Sequence, residues 1–344
     1  MDRHRASQRR DADDAACMRR AVGVARNARL VARPNPWVGA VMVCADGSVF
    51  EGFTSPPGGP HAEIVAMESA RAAGAGLAGA TLYTTLEPCS HHGRTGPCAD
   101  AIIASGITRV VVGVLDPDAH VAGRGITRMQ EAGLDVVTGV CKEEVAAQLA
   151  PYLHQRSTGR PYVVLKMATT LDAKTTAPTG ARWITGEDAR TRVHGMRAES
   201  DAILVGSGTV HADDPELTVR VVEGPSPRRI VLSSTGTVPD GARVNPCTVW
   251  SGTLESLLDS LGADGVIQLM VEGGPRVAAA FHNAGLVDRY VFHVAPVVSG
   301  EAGAPGVFAG DDSAAALVDT QLVSVTVLGD DIEIVLEPKE EKAA

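Results

Sequence analysis

The segment that decides the fold begins at His61-Ala62-Glu63 and continues to Pro88-Cys89 and Cys98. It offers one imidazole, two thiols and a carboxylate, and zinc prefers the nitrogen and sulfur donors among them. Three protein ligands would leave the fourth position of a tetrahedral zinc for water, as in catalytic sites. The order H-x-E followed by P-C is typical of open zinc sites in which the Glu carries protons and is not a ligand. We therefore predict a zinc site on His61, Cys89 and Cys98 with Glu63 as its acid/base.

Other interpretations of this segment stay open. A structural zinc would need a fourth protein ligand, which His91 or His92 could supply, but Glu63 would then have no role. A set of His and Cys side chains without any metal is the plainest alternative. It is opposed by the helix expected after His61 and the strand expected before Pro88, because both place the ligands at element ends.

Composition limits the class of protein. The chain has 344 residues, enough for two domains, with 44% apolar and 21% charged residues. A formal net charge of -10 argues against a nucleic-acid binder, which would normally show a basic face. No apolar run approaches the ~20 residues of a membrane span, and the N-terminal residues lack the apolar core of a secretory signal. Of the six cysteines only Cys89 and Cys98 lie in a motif, a pattern that suits a reducing cytoplasm.

Strand and helix signals alternate along the chain and predict an α/β fold with layered sheets. In the first half we expect helices at 15–30, 61–73, 98–105, 125–132 and 143–158, and strands at 38–44, 49–53, 81–85, 110–115 and 135–138. In the second half we expect strands at 162–167, 202–205, 229–232, 266–271 and 289–295, and helices at 187–197 and 277–284. Gly159-Arg160-Pro161 punctuates the chain, so we predict a disordered tail over 1–14 and domains over 15–150 and 160–337.

The stretch from Pro34 to Gly125 resembles the deaminase domain of the bifunctional deaminase/reductase family of riboflavin biosynthesis. The matching segments are Pro34-Asn35-Pro36, Val38-Gly39-Ala40, His61-Ala62-Glu63, Thr85 to Arg94, Pro97-Cys98, Asp116-Pro117 and Val121 to Gly125. The eight residues between the two cysteines are diagnostic, because cytidine deaminases use a shorter spacer. The resemblance implies a cytidine-deaminase-like α/β/α layered domain, with Zn2+ on His61, Cys89 and Cys98 and with Glu63 as proton donor. It also implies substrate contacts from Asn35, His91 and Arg94, although Asn35 could be a plain turn residue and Arg94 a solvated loop charge.

The second half resembles the reductase domain of the same family, a dihydrofolate-reductase-like α/β fold that uses NADPH. The matching segments include Leu165-Lys166-x-Ala168, Trp183-Ile184-Thr185, Asp201 to Gly206, Thr209 to Arg220 and Glu272-Gly273-Gly274-Pro275. The resemblance implies substrate contacts from Ala181, Arg197, Leu217, Arg220 and Glu272, and cofactor contacts from Ala168, Trp183, Thr209, Asp213, Ser234 and Gly274. Taken alone, Trp183 would be expected in a core. The turns at Gly206 and Gly274 are either plain turns or anion sites at helix starts.

The chain departs from the family pattern at several positions. The usual Leu-Asp-Gly is Leu171-Asp172-Ala173, and Ala181 stands for a substrate-binding Ser. Thr54 stands where a His often precedes the His-Ala-Glu motif, and Gly96 replaces a Pro. We expect these changes to affect fine specificity more than the fold.

Together the likenesses imply a cytoplasmic homo-oligomeric enzyme without nucleic-acid or membrane partners. It would hydrolyse the ring amino group of a 2,5-diamino-6-ribosylamino-pyrimidinone 5′-phosphate and then reduce the ribosyl group to a ribityl chain with NADPH. Three alternatives stay open: a deaminase whose reductase half has diverged toward another pyrimidine metabolite, a nucleoside or tRNA deaminase, and a zinc-stapled binding module without turnover.

Overall fold

Each half of the chain builds its own β-sheet, and helices pack against both sheets. The computed structural model describes residues 2–90, 96–118, 121–177, 181–309 and 317–339, with the backbone alone for 2–9. The chain divides into two compact units, Met1–Thr158 and Gly159–Ala344. Within the described ranges, no helix combines the length and the apolar character that crossing a membrane requires.

The first unit alternates strands and helices in the order that the sequence predicts. Its strands are β1 Gly39–Val43, β2 Val49–Phe53, β3 Thr81–Leu86, β4 Arg109–Val114 and β5 Asp135–Thr138. Its helices are α1 Asp2–Ala25, α2 Ala62–Ala72, α3 Cys98–Ala104, α4 Arg124–Glu131 and α5 Lys142–Thr158, with a short 3-10 helix at Arg26–Ala28.

The sheet of the first unit has the order β2-β1-β3-β4-β5. Strand β1 runs antiparallel to β2 and β3, while β3, β4 and β5 are parallel. Two glycines let the helices approach this sheet closely. A Cβ on Gly39 would lie 2.0 Å from the Ala21 carbonyl oxygen of α1, and one on Gly52 would lie 2.2 Å from the Ala62 carbonyl oxygen of α2. Gly39 and Gly52 face opposite sides of the sheet, so α1 packs on one face of the β1–β2 hairpin and α2 on the other.

The structure differs from the tail predicted over residues 1–14, because α1 begins at Asp2. Asp14 on this helix is 4% exposed. Its carboxylate accepts two hydrogen bonds of 2.7 Å from the Arg109 guanidinium and one of 2.9 Å from the Tyr83 hydroxyl. The buried, bidentate ion pair with Arg109 and the hydrogen bond from Tyr83 fasten α1 to β4 and β3. The sequence around Asp14 could not predict this contact, because both partners lie far along the chain.

The second unit begins with β6 directly after the Gly159-Arg160-Pro161 punctuation. Its strands are β6 Tyr162–Thr170, β7 Ala202–Gly206, β8 Arg228–Leu232, β9 Thr248–Trp250, β10 Gln268–Val271, β11 Arg289–Ala295, β12 Thr320–Leu328 and β13 Asp331–Pro338. Its helices are α6 Glu187–Ala198, α7 Ser207–Asp213, α8 Leu254–Ala263 and α9 Pro275–Asn283.

The sheet of the second unit has the order β12-β13-β11-β6-β10-β7-β8-β9. The run from β11 to β9 is parallel, and β13 pairs antiparallel with β11 and β12. Leu165, Leu204 and Leu269 are at most 1% exposed and form a core with Leu257 and Phe281 from two helices. Parallel strands are buried on both faces and therefore have near-continuous apolar sequences. For this reason the sequence predicted the parallel strands β6, β7, β8, β10 and β11 correctly. The elements α7, β9, α8, β12 and β13 were not predicted from the sequence. Of these, α7 and β9 are short, whereas α8 was a missed signal, because Leu254, Leu257, Leu258 and Leu261 recur at helical spacing.

Candidate functional sites

Four side chains of the zinc motif meet at one edge of the first sheet. His61 is the N-cap residue of α2, and Glu63 lies in its first turn. Cys89 follows the end of β3, and Cys98 is the first residue of α3. Strand pairing explains the convergence, because the end of β2 and the end of β3 both lie beside the start of β1. The loops that leave these strands therefore start from the same edge.

The geometry of the three ligand side chains fits a tetrahedral zinc ion. Their ligand atoms all lie within 4.8 Å of one another. The His61 Nδ1 atom is 3.3 Å from Cys98 Sγ and 3.6 Å from Cys89 Sγ. Zinc–nitrogen and zinc–sulfur bonds of about 2.0 and 2.3 Å at tetrahedral angles would separate such atoms by roughly 3.6 Å. The backbone N–H of Cys98 also donates to Cys89 Sγ at 3.3 Å, which favours the thiolate form.

The site is electrostatically suited to proton transfer. Hydrogen bonding with the Cys98 thiol, helped by His61, lowers the pKa of Cys89 below its ordinary range. Glu63 is 4% exposed, and burial raises its pKa to about 7. A carboxyl group with a pKa near neutrality can both accept and release a proton at physiological pH.

The remaining positions that the resemblance implied for the first site divide into two groups. Asn35 is half-buried and lies in the loop that leads into β1, so it approaches the same edge as Cys89. His91 and Arg94 lie outside the described residues. Thr54, at the departure from the family pattern, is 2% exposed and accepts a 3.0 Å hydrogen bond from the Val38 N–H. Thr54 therefore links the chain just after β2 to the chain just before β1 by this hydrogen bond.

The second unit contains a cavity of about 2240 Å³. Ligand cavities for one drug-sized molecule measure about 300–1,000 Å³, so this one has room for two ligands side by side. Every reductase position implied by the resemblance lines it: Ala168, Ala181, Trp183, Arg197, Thr209, Asp213, Leu217, Arg220, Ser234, Glu272 and Gly274. The structure thus brings together residues that lie more than a hundred positions apart in the sequence.

A cluster of charges forms one wall of this cavity. Arg197 and Glu272 make a bidentate ion pair, with N–O distances of 2.9 and 2.8 Å. Burial alone would raise the pKa of Glu272, but the charges of Arg197 and Lys166 hold that pKa below its ordinary value. Lys166 is 8% exposed, and burial lowers the pKa of its ammonium group. The cluster therefore places an anion and two cationic side chains at the same wall.

Other parts of the cavity lining are the N-terminus of helix α9 and the ring of Trp183. Helix α9 starts after Gly274, which acts as its N-cap, and a Cβ on Gly274 would lie 3.2 Å from the Thr209 hydroxyl oxygen. Gly274 and the first residue of the helix both line the cavity, so the start of this helix is accessible to an anionic group there. Trp183, which also lines the cavity, is 56% exposed. Trp183 is thus not a core residue. The Arg182 and Arg190 guanidinium groups lie 5.0 and 5.6 Å from the centroid of its ring, and its exposure suits stacking of a planar ligand.

Sequence reasoning missed two residues of the second site. Lys166 and His194 both line the cavity, and the His194 Nδ1 atom accepts a 3.3 Å hydrogen bond from the Arg220 backbone N–H. The signal for Lys166 was present, because a lysine inside an otherwise apolar strand is rarely buried without a role. His194 carried no signal, since a single histidine on a polar helix has no distinguishing pattern.

Comparison with known proteins defines the class of each unit. A family model described as the cytidine and deoxycytidylate deaminase zinc-binding region matches residues 11–114, and one described as the RibD C-terminal domain matches residues 161–334. The chain therefore joins a zinc-binding deaminase domain to a reductase domain.

Full-length relatives narrow the class to one family. The riboflavin biosynthesis protein RibD of Chlamydia muridarum is 40% identical over 324 residues, which cover 84% of this chain and 86% of that protein. The structure of Acinetobacter baumannii RibD is 34% identical with a TM-score of 0.87, covering 96% of this chain and all of that one. A Thermotoga maritima structure named as a diaminohydroxyphosphoribosylaminopyrimidine deaminase/5-amino-6-(5-phosphoribosylamino)uracil reductase is also 34% identical, with a TM-score of 0.85 and the same coverage. The chain belongs to the RibD family of riboflavin biosynthesis proteins.

Family membership confirms the predicted fold and the prediction of an enzyme with a deaminase and a reductase domain. The relatives match across both units, so a deaminase with a diverged reductase half is not favoured.

Proposed function

We propose that the first unit hydrolyses the ring amino group of a 2,5-diamino-6-ribosylamino-pyrimidinone 5′-phosphate and that the second unit reduces the ribosyl group to a ribityl chain with NADPH. The observation that carries this proposal is the pairing of an open three-ligand metal site beside Glu63 with a separate two-ligand cavity in one chain. Neither feature alone would favour a two-step enzyme.

In the first step His61, Cys89 and Cys98 would hold zinc, whose chemistry is to lower the pKa of a bound water to about 7. Glu63 would accept a proton from the attacking water and deliver it to the departing amine, so that water adds to the ring carbon and ammonia leaves. Its burial and its raised pKa suit both halves of that transfer. Asn35 is our candidate for a contact with the pyrimidine edge.

In the second step NADPH would supply the hydride, and the residues of the cavity would position it. The α9 N-terminus, Thr209 and the Trp183 ring all line the cavity and would hold a phosphorylated dinucleotide. Arg197 and Arg220 are our candidates for the substrate phosphate. Lys166, at the wall with Glu272, is our candidate to donate the proton that the sugar ring oxygen needs when the hydride reaches the anomeric carbon.

The test is to incubate the purified protein with the diaminopyrimidine phosphate and NADPH while ammonia and nicotinamide absorbance are followed together. We expect one ammonia to be released for each NADPH consumed, with ammonia rising first. Ammonia release without NADPH consumption would contradict the second step. Neither change with zinc bound would instead support a binding module.

We also propose a cytoplasmic location and no nucleic-acid partner. All six cysteines are unpaired, a pattern typical of proteins of a reducing compartment. The net charge of -10 opposes binding to a polyanion.

Finally, we propose that copies of the chain associate through β12. This strand lies at the edge of its sheet, contains no charged residue, and exposes Leu322, Val325 and Val327 by 62%, 56% and 72%. Natural sheets usually protect such an edge, and antiparallel pairing with a second β12 would bring valines together across a twofold axis. A Val325→Lys substitution should shift the sedimentation coefficient toward a smaller species. An unchanged value would contradict this interface.

A further inference from the structure

Glu87 is a buried carboxylate that the proposed chemistry does not use. It follows β3 directly, stands two residues before Cys89, and is 4% exposed. Its Oε2 atom accepts backbone N–H groups of Asp116 at 3.3 Å and Gly123 at 3.0 Å, and its Oε1 atom accepts the Gly125 N–H at 3.0 Å. A buried charge is costly unless it is well hydrogen-bonded. Here three amide dipoles, from both ends of the segment 116–125, satisfy it.

The same segment also packs directly on the peptide that carries the metal ligand. A Cβ on Gly125 would lie 2.1 Å from the Pro88 carbonyl oxygen and 3.3 Å from Glu87 Oε1. The first turn of α4 therefore rests on the Pro88–Cys89 peptide bond, and only a glycine permits that approach. At its other end the segment is fixed to α5, because the Tyr152 hydroxyl donates to the Asp116 carboxylate at 3.1 Å.

We propose that Glu87 is a positioning residue for the metal site, and this inference rests on the proposed zinc-dependent function of the first unit. Its carboxylate fastens the start of α4 to the turn that presents Cys89. It thereby holds Cys89 Sγ at the distances from His61 and Cys98 that a tetrahedral ion needs. Residues outside the ligand shell that orient metal ligands commonly change metal affinity or activity by about 10–100-fold when they are replaced.

The test uses the full-length chain with Glu87→Gln, which keeps the size of the side chain but places an NH2 group against a backbone N–H. We expect zinc release to a chelator to become at least about tenfold faster. We also expect the visible absorption bands of the cobalt-substituted protein to shift, since they report the geometry around thiolate ligands. Deaminase kcat should fall with a smaller change in KM, while reductase activity on the deaminated substrate should be unchanged and show that the second unit is folded. Far-UV circular dichroism equal to that of the unmodified protein should show that the first unit is folded as well.

Asp201→Asn is the matched control, because Asp201 in the second unit likewise accepts two backbone N–H groups, those of Ile267 and Gln268 at 3.0 Å. It should leave zinc release and the cobalt spectrum as in the unmodified protein. Wild-type zinc release and an unshifted spectrum in Glu87→Gln would overturn the proposal.

Two further measurements decide the question if Glu87→Gln does not fold. Gly125→Ala should shift the cobalt bands in the same way, because its methyl group would displace α4 from Pro88. In the unmodified protein, removal of zinc should speed amide exchange at Gly123 and Gly125, since coupling between two sites is reciprocal. Exchange that is insensitive to zinc would refute the proposal. The zinc-release, cobalt and amide-exchange measurements need no substrate. A protein whose zinc site depends on Glu87 in these measurements but that deaminates nothing would therefore contradict the proposed function alone.

Discussion

The two units of this chain build their sites in opposite ways. In the first unit, three ligand atoms within 4.8 Å come from a segment of fewer than forty residues. In the second, the cavity is lined by side chains that lie between Lys166 and Ala309. The difference follows from the chemistry. A metal site needs a few atoms at bonding distance, which short turns can supply. Hydride transfer needs two large ligands held face to face, which takes many elements.

The largest expected effect is the loss of one activity while the other is kept. Glu63→Gln should lower the rate of ammonia release by about 10²–10⁴-fold, because it removes the group that moves the proton. Zinc content should be unchanged, since Glu63 is not expected to be a ligand, and NADPH oxidation with the deaminated substrate should continue. Metal analysis and the two activity assays check this together. Loss of zinc in the variant would show that Glu63 holds the metal.

The second prediction, with a smaller expected effect, concerns whether the Arg197–Glu272 ion pair in the cavity also stabilises the fold of the second unit. Glu272→Gln leaves the Arg197 guanidinium without its counter-charge, and the two side chains are only 17% and 11% exposed. We expect a loss of about 2 kcal/mol in the free energy of unfolding, below the roughly 3–5 kcal/mol of a fully buried pair because some solvent reaches this one. Denaturant unfolding followed by the fluorescence of the second unit measures it, with Asp259→Asn at an exposed ion pair as control. An equal effect of both variants would show that the buried pair has no special role.

A weaker, pH-dependent effect is expected where two loops of the second unit meet. The Asp172 carboxylate accepts the Thr170 hydroxyl at 2.6 Å and the N–H groups of Ser299 and Gly300 at 3.0 and 2.9 Å, and these bonds hold its pKa well below the ordinary 3.8. A lowered folded pKa means that the ionised group stabilises the fold above pH 3.8, and that this contribution is lost as pH falls through the folded value. Asp172→Asn should therefore lower the urea midpoint at pH 7 and lower it less at pH 3. A constant difference would contradict the assignment.

The smallest expected effect on stability concerns Ala173, which follows Asp172 and replaces the glycine of the usual family pattern. Ala173 has φ of 58°, in the left-handed region that favours glycine. Ala173→Gly should raise the free energy of unfolding by about 0.5–1 kcal/mol, because relief of the Cβ clash exceeds the added entropy of the unfolded chain. Thermal unfolding detects a change of this size. A destabilised variant would show that the alanine methyl group makes a contact that the backbone angle does not reveal.

The same contrast explains which parts of the structure were predictable. Parallel strands such as β4 and β7 are buried on both faces, so their apolar runs could be recognised without a structure. The β12–β13 hairpin was not predicted, although Val323, Val325 and Val327 alternate with Ser324 and Thr326 as in a strand. What the alternation could not show is that nearly all of β12 is exposed, because that depends on its place at the edge of the sheet. The helix α1 was expected to begin only at Ala15, since its support comes from Arg109 and Tyr83, which lie far along the sequence.

The sequence by itself determined the candidate ligand set, the family resemblance and the alternation of strands and helices, because these depend on residue types at short, regular spacings. Only the tertiary structure decided that Lys166 and His194 share a wall with Glu272, that Glu87 joins α4 to the Cys89 turn, and that Trp183 is exposed. Such relations depend on which strand lies beside which, and hydrogen bonds between residues far apart in the chain exist only after the sheets have formed.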